Sequence, residues 1–196
     1  MIPVAFMPIS TWDPEFVQAI RAHYTGSRGA PPGKKLAWRI FESGRHRGWI
    51  GLGEPTFALR ARKRLGIMDE RALPYTVNNF IYRLDAPGDV LASDILKVWH
   101  DVAVDAWEAR YGWRPVHWET MVQPDAVESE NPGACFKAAG YRSLGMTTGM
   151  TAKRPLGRSH APGGGYGKRV ISHGAPPKLV LYKGPLARVA VRGERS

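Results

Sequence analysis

Along the chain, apolar residues come in short runs that switch between a helical and a strand period, each bounded by glycine, proline or charge. Asp13-Pro14 predicts a helix start, with the acid as cap and proline at the first helical position, and DPEFVQAIRAHY continues it to about Tyr24. The glycine- and proline-rich TGSRGAPPGKK then interrupts the pattern. LAWRIFE (36–42) and GWIGLGE (48–54) predict a hairpin around the five-residue basic turn SGRHR. Residues 55–75, which include FALRARKRLGI, fit either a basic helix or an irregular surface segment. TVNNFIYRLD (76–85) reads as a strand, with Asn78 and Asn79 polar in its early part. After DAPGD, the residues Leu91, Ile95, Val98, Trp99, Val102, Ala106 and Trp107 follow three- and four-residue steps. That spacing predicts an amphipathic helix of about twenty residues, closed by YGW at 111–113. PVHWETMV (115–122) predicts a strand, 134–139 a short helix, and a further strand starts near Arg142.

The order helix, hairpin, strand, long helix, strand, short helix, strand predicts an α/β (α+β) chain. Its central sheet should be mixed and mostly antiparallel, with helices on both faces. A chain of 196 residues, 43% of them hydrophobic, can bury one core, so one domain with extensions is expected. Residues 1–150 form that core domain, 151–175 a basic Gly/Pro-rich loop, and 176–196 a strand and basic tail completing the same domain. No apolar run reaches about eighteen residues, so no membrane span is expected. The opening MIPVAFMPIS is too short, and lacks the basic leader, for a secretion signal. A single cysteine, Cys135, excludes an internal disulfide and fits a reducing cytoplasm, and its helical surroundings suggest a small buried hydrophobe.

Charge changes the picture more than composition does. The net formal charge is +11. Residues 146–196 hold ten Lys or Arg against one acid, Glu194, so +9 lies in that segment and +2 in the first 145 residues. A concentrated basic segment suits a polyanion, because each phosphate contact releases counterions, and double-stranded DNA is the expected partner. No amphipathic helix accompanies these charges, which argues against a membrane surface. The stretch TAKRPLGRSHAPGGGYGKRV (151–170) has almost no aliphatic content and cannot bury a core of its own. Its Lys153, Arg154, Arg158, Lys168 and Arg169 are expected to contact phosphates and so set affinity, not base choice. Arg45 and Arg47 in the hairpin turn, and Arg60, Arg62 and Lys63 in the ambiguous segment, form a second basic set.

Candidate chemistry centres on one carboxylate. In HWETMV, alternation puts Trp118, Thr120 and Val122 on one face and His117, Glu119 and Met121 on the other. A carboxylate in the middle of a central strand is costly unless paired or functional, so Glu119 is the leading candidate, able to take a proton from an amine. His23 and Tyr24 close the first helix; His23 suits either a site or a helix C-terminus, where an imidazolium meets the dipole. The six histidines and Cys135 show no metal-ligand spacing, so no metal is expected. Most of the seven tryptophans should be core, leaving one or two able to stack on a base.

The order of elements is similar to the N-acetyltransferase-like (GNAT-like) fold, in which the sheet splays between central strands and the cleft holds the reacting group. Acetyl-CoA enzymes of that fold hold the donor's pyrophosphate on a glycine-containing loop before the long helix. Here that loop reads RLDAPGDVLAS, with Asp85 and Asp89 opposed to an anion, and Phe136 stands where a tyrosine acid is usual. Acetyl-CoA is therefore a doubtful donor, and the donor stays unknown. HYTGSRG, GWIGLG, TVNNFIYRL, WEARYGWRPVHWETMVQP and GACFKAAGYRSLGMTTG resemble the Druantia A family of phage-defence and mobile-element proteins. That family in turn is similar to the Mom DNA-modification proteins of phages, which alter adenine so that restriction enzymes do not cut. The resemblance implies a catalytic cleft with His23, Tyr24 and Glu119, lined by Asn78, Asn79, Gln123 and Phe136. It implies modification of the exocyclic amine of adenine in the cytoplasm of a bacterial or phage-infected cell. A catalytically silent DNA-binding protein of a defence system is the main alternative, and an acetyl-CoA-dependent N-acetyltransferase a weaker one.

Overall fold

The computed structural model describes residues 2–23, 30–55, 75–127, 129–147 and 176–184. Among these residues seven strands make one sheet: β1 (Val4–Ile9), β2 (Lys35–Glu42), β3 (Arg45–Gly53), β4 (Thr76–Leu84), β5 (His117–Val122), β6 (Arg142–Met146) and β7 (Leu179–Lys183). Their order is β1-β2-β3-β4-β5-β7-β6, and every neighbouring pair is antiparallel except β4 and β5. A parallel pair needs a crossover, which here contains α2 (Ala92–Tyr111). The sheet is thus mixed and mostly antiparallel, with α1 (Pro14–Ala22) on one face and α2 with the short α3 (Ala134–Ala138) on the other. This is the expected fold class.

Helix α1 starts as its sequence dictates. The Asp13 carboxylate accepts from the N–H groups of Glu15 and Phe16, and Arg39 pairs with the same carboxylate at 3.0 Å. Phe16, Ala19 and Ile20 are buried against Ala37, Trp49 and Ile81. The helix stops at Ala22, not near Tyr24, because His23 turns to an extended conformation (ψ 141°).

Three expectations need correction. The hairpin turn has two residues, not five: Ser43 (φ 50°) and Gly44 (φ 77°) both take the left-handed conformation of a tight primed turn. Arg45, His46 and Arg47 therefore belong to β3. Ile40 faces Gly48 and Phe41 faces His46, which leaves Arg47 as a bulged residue. It is buried and ion-paired with Glu42 at 2.9 Å, so it is not a surface cation offered to DNA. The third correction concerns α2. Its buried stripe is Ile95, Leu96, Trp99, His100, Ala103 and Trp107, whereas Leu91, Val98 and Val102 are exposed. The face is rotated from the expected one because His100, polar by type, is drawn into the core by partners from β7 and the turn before β6. Strand β1 went unpredicted: Pro8 and an irregular burial pattern mask its pairing with β2 at the sheet edge.

Candidate active site where strands β4 and β5 part

β4 and β5 pair over four residues only, from Thr76 opposite His117 to Asn79 opposite Thr120. Beyond that rung, β4 continues along β3 as far as Leu84, and β5 along β7 as far as Val122. The two strands therefore part in the middle of the sheet. A bulge sits at the same point: Gly51 faces Ile81 and Leu52 faces Asn79, so Phe80 is the extra residue. Asn79 braces the bulge, its side-chain amide donating to the carbonyls of Gly51 (3.0 Å) and Ile81 (3.1 Å), while the Thr120 hydroxyl donates to the Asn79 carbonyl at 2.9 Å. Gly51 must lack a side chain, since a Cβ there would lie 2.5 Å from the Phe80 ring. The side-chain oxygens of Asn78 and Asn79 are buried without a hydrogen-bond partner, an uncommon state for buried acceptors.

On the α1 face, one row of side chains crosses four strands just before the parting. Asn78 stands opposite Glu119, Glu119 opposite Tyr182, and Tyr182 opposite Arg142. Glu119 and Tyr182 are each 1% exposed. The Tyr182 hydroxyl is hydrogen-bonded to Nδ1 of His117, which lies two residues before Glu119 on the same face. Burial, with the Glu119 charge adding to it, pushes the Tyr182 hydroxyl up to about 12, against the pull of Arg142. His23, just past α1, is pushed down to about 4, first by burial and then by the charges of Arg83 and Lys178. Arg83 lies on β4 beyond the parting and Lys178 immediately before β7, so His23 is near both arms. A neutral imidazole is the result at neutral pH, which excludes the imidazolium that would suit the helix dipole.

The opposite face is apolar and aromatic. Phe136 of α3 meets Tyr82 of β4 edge-on at 5.7 Å and Tyr141 at 5.3 Å, and the Tyr82 hydroxyl donates to the Ala92 carbonyl. Phe136 therefore lies across the sheet from Glu119, among core residues. His100 is held there between Lys183 Nζ (3.0 Å) and the Tyr141 hydroxyl (2.9 Å). Burial first, and the Lys183 charge second, push its imidazole down to about 3. Cys135 is partly buried beside this core, and burial pushes its thiol up, which suits packing and not nucleophilic attack.

Of the residues expected at the site, His23, Asn78 and Glu119 are on one face near the parting of the strands; Asn79 braces the bulge, and Gln123 is half-buried immediately after β5. Arg45 is exposed at the hairpin end. Tyr24, Arg60, Arg62, Lys63, Lys153, Arg154, Arg158, Lys168 and Arg169 lie outside the described residues. Sequence reasoning missed Tyr182 as the neighbour of Glu119, Arg142 as the residue opposite Tyr182, and Lys178 as a charge near His23. The alternation in KLVLYK puts Lys178, Val180 and Tyr182 on one face, but only the strand order brings that face beside β5. Among the described residues, no cluster of His, Cys, Asp and Glu could hold a metal ion, and no helix is long and apolar enough to cross a membrane.

No protein-family model and no curated protein sequence matches the chain. The solved structures similar in fold include two of low identity. The crystal structure of aminoglycoside 6'-acetyltransferase type Ii is 12% identical and aligns over 95% of this chain and 99% of its own, with a TM-score of 0.44. FeeM, an N-acyl amino acid synthase from uncultured soil microbes, is 9% identical over 92% of this chain and 89% of its own, with a TM-score of 0.43. Both scores lie below 0.5, so the likeness by itself decides neither family nor activity.

Proposed function

We propose that this chain is a group-transfer enzyme that acylates an amine where β4 and β5 part, and that the amine is the exocyclic nitrogen of adenine in DNA. The observation that carries this reading is Glu119, a carboxylate 1% exposed in a central strand, in register with Asn78 and Tyr182 at the rung before the strands separate. A carboxylate is desolvated at such cost only where it is paired or used, and this one stands beside the bulge that opens the sheet. As the amine nitrogen attacks the donor's acyl carbon, a C–N bond forms and Glu119 takes the amine proton. The donor's leaving group departs with the electrons of the bond it loses. His23, neutral at neutral pH, can accept a hydrogen bond from the acceptor, and the unpartnered Asn78 oxygen can accept another. Asn79 and Thr120 hold the bulge that positions this group.

DNA as the acceptor is supported by charge: +9 of the net +11 lies in residues 146–196. Replacing Lys153, Arg154, Arg158, Lys168 and Arg169 with alanine is expected to weaken binding to any duplex about equally. The slope of log K against log salt should flatten by roughly 0.9 per lost phosphate contact.

A second reading, a DNA-binding protein without catalysis, is favoured by the Tyr82–Phe136 contact, which bridges β4 and the element after β5 on the α2 face. Mass spectrometry of nucleosides from the DNA of cells expressing the chain separates the two. The enzyme yields a new nucleoside heavier than deoxyadenosine; unmodified DNA at good expression supports the silent binder.

A further inference from the structure

Backbone N–H groups leading into a long helix are the natural seat for a phosphate, because they are oriented donors backed by the helix dipole. In this chain two of those leading into α2, on Asp89 and Val90, are already engaged. Glu42, the last residue of β2, places Oε1 2.6 Å from the N–H of Asp89 and 3.0 Å from that of Val90, and accepts from both. Its Oε2 accepts from Nε of Arg47, the bulged residue of β3, at 2.9 Å. Glu42 and Arg47 are 7% and 8% exposed. The Val90 N–H, the Asp89 N–H and Arg47 hold the Glu42 carboxyl below its usual range, so it is an anion at neutral pH. Gly88 closes over the pair: a Cβ there would lie 2.2 Å from Glu42 Oε2 and 2.4 Å from Arg47 Nε. Further along, the N–H groups of Asp94 and Ile95 go to the Leu91 carbonyl.

This seat lies directly after β4, at the end of the strand that has left β5. A donor entering between the strands with a diphosphate handle would meet an ionised carboxylate where its phosphate needs donors. We infer that Glu42 is a built-in anion closing this seat, and that the group donor of this chain carries no diphosphate. The inference rests on the proposed transfer site for its meaning. Coenzyme A thioesters and nucleotide-linked acyl groups are then excluded, leaving small, diphosphate-free acyl donors. Asp85 and Asp89, the acids apparent in the sequence of this loop, are secondary. Asp85 is paired with Arg83, and Asp89 contributes its backbone N–H.

Titration calorimetry with coenzyme A and with inorganic pyrophosphate tests this without any activity assay, so it stands or falls independently of the nucleoside result. The wild-type chain is expected to give no binding heat with either ligand up to about millimolar concentration. Glu42→Ala frees two N–H groups and a guanidinium, and should raise pyrophosphate affinity by about tenfold or more, a change of roughly 1.4 kcal/mol. One-to-one micromolar binding of coenzyme A to the wild type overturns the inference, as does a folded Glu42→Ala variant with no gain for pyrophosphate. Should Glu42→Ala not fold, Glu42→Gln removes the charge alone; a gain in pyrophosphate affinity supports the closed seat, and an unchanged affinity overturns it.

Discussion

The two faces of β5 make a sharp contrast over six residues. On one, Trp118 and Val122 join the core that holds Trp99, Trp107, Phe136 and Tyr141, with Trp99 edge-on to Trp118 and Phe136 edge-on to Tyr141, while the Thr120 hydroxyl turns back to the Asn79 carbonyl. On the other lie His117, Glu119 and Met121, with Glu119 in the row of Asn78, Tyr182 and Arg142. Glu119, Asn78 and Tyr182 on the second face are as buried as the aromatic face, while His117 and Met121 are half-buried and Arg142 is exposed. Only this face of β5 buries a carboxylate, which costs free energy to desolvate. The difference separates what holds the sheet together from what the sheet is used for. Changes on the aromatic face should register as stability, and changes on the polar face as chemistry.

The largest expected effect belongs to the aromatic face. Trp99 is fully buried between Trp38 and Trp118, so Trp99→Ala should destabilise the fold by about 3–5 kcal/mol, read by denaturant unfolding. A loss below about 1 kcal/mol would mean that this face is not the structural one.

Acid sharpens the comparison. His23 and His100 have folded-state values of about 4 and about 3, below the ordinary value of 6.5. The unfolded chain then binds protons first as pH falls, so stability is complete above about pH 6.5 and is lost on descent toward 4. The melting temperature should drop between pH 7 and 5, before most carboxylates titrate. His100→Gln, on the aromatic face, should remove more of that pH slope than His23→Gln, because His100 is the more deeply buried. Equal slopes in all three proteins would contradict the assignment.

Much of this arrangement was legible where the cause is local. Asp13-Pro14 named the start of α1, and strict alternation in HWETMV put Glu119 with His117 and away from Trp118, as the structure has them. What escaped depends on partners distant in sequence. The burial of His100 depends on Lys183, 83 residues away, and that of Arg47 on a bulge opposite Ile40 and Phe41. Glu42 caps a loop 47 residues later. None of these pairings leaves a period or spacing in the chain. Phe136 was placed in the cleft by resemblance, but its side chain belongs to the aromatic face.

The smallest stability effect should come from the edge of the α1 layer. Asp13→Ala removes the carboxylate that caps α1 and pairs with Arg39, at a cost of about 1 kcal/mol. Because α1 carries His23 to the parting strands, the same variant should reduce product formation more than this modest loss of stability would suggest. A product yield that simply tracks the folded fraction would detach α1 from the site.

The most direct measurement of the central claim is the yield of modified nucleoside from DNA of cells expressing Glu119→Gln beside the wild type, with melting temperatures recorded for both proteins. Product should vanish while the variant stays folded, with far less loss of stability than Trp99→Ala shows. An unchanged product yield from a folded Glu119→Gln protein would contradict the account and remove that carboxylate from the mechanism.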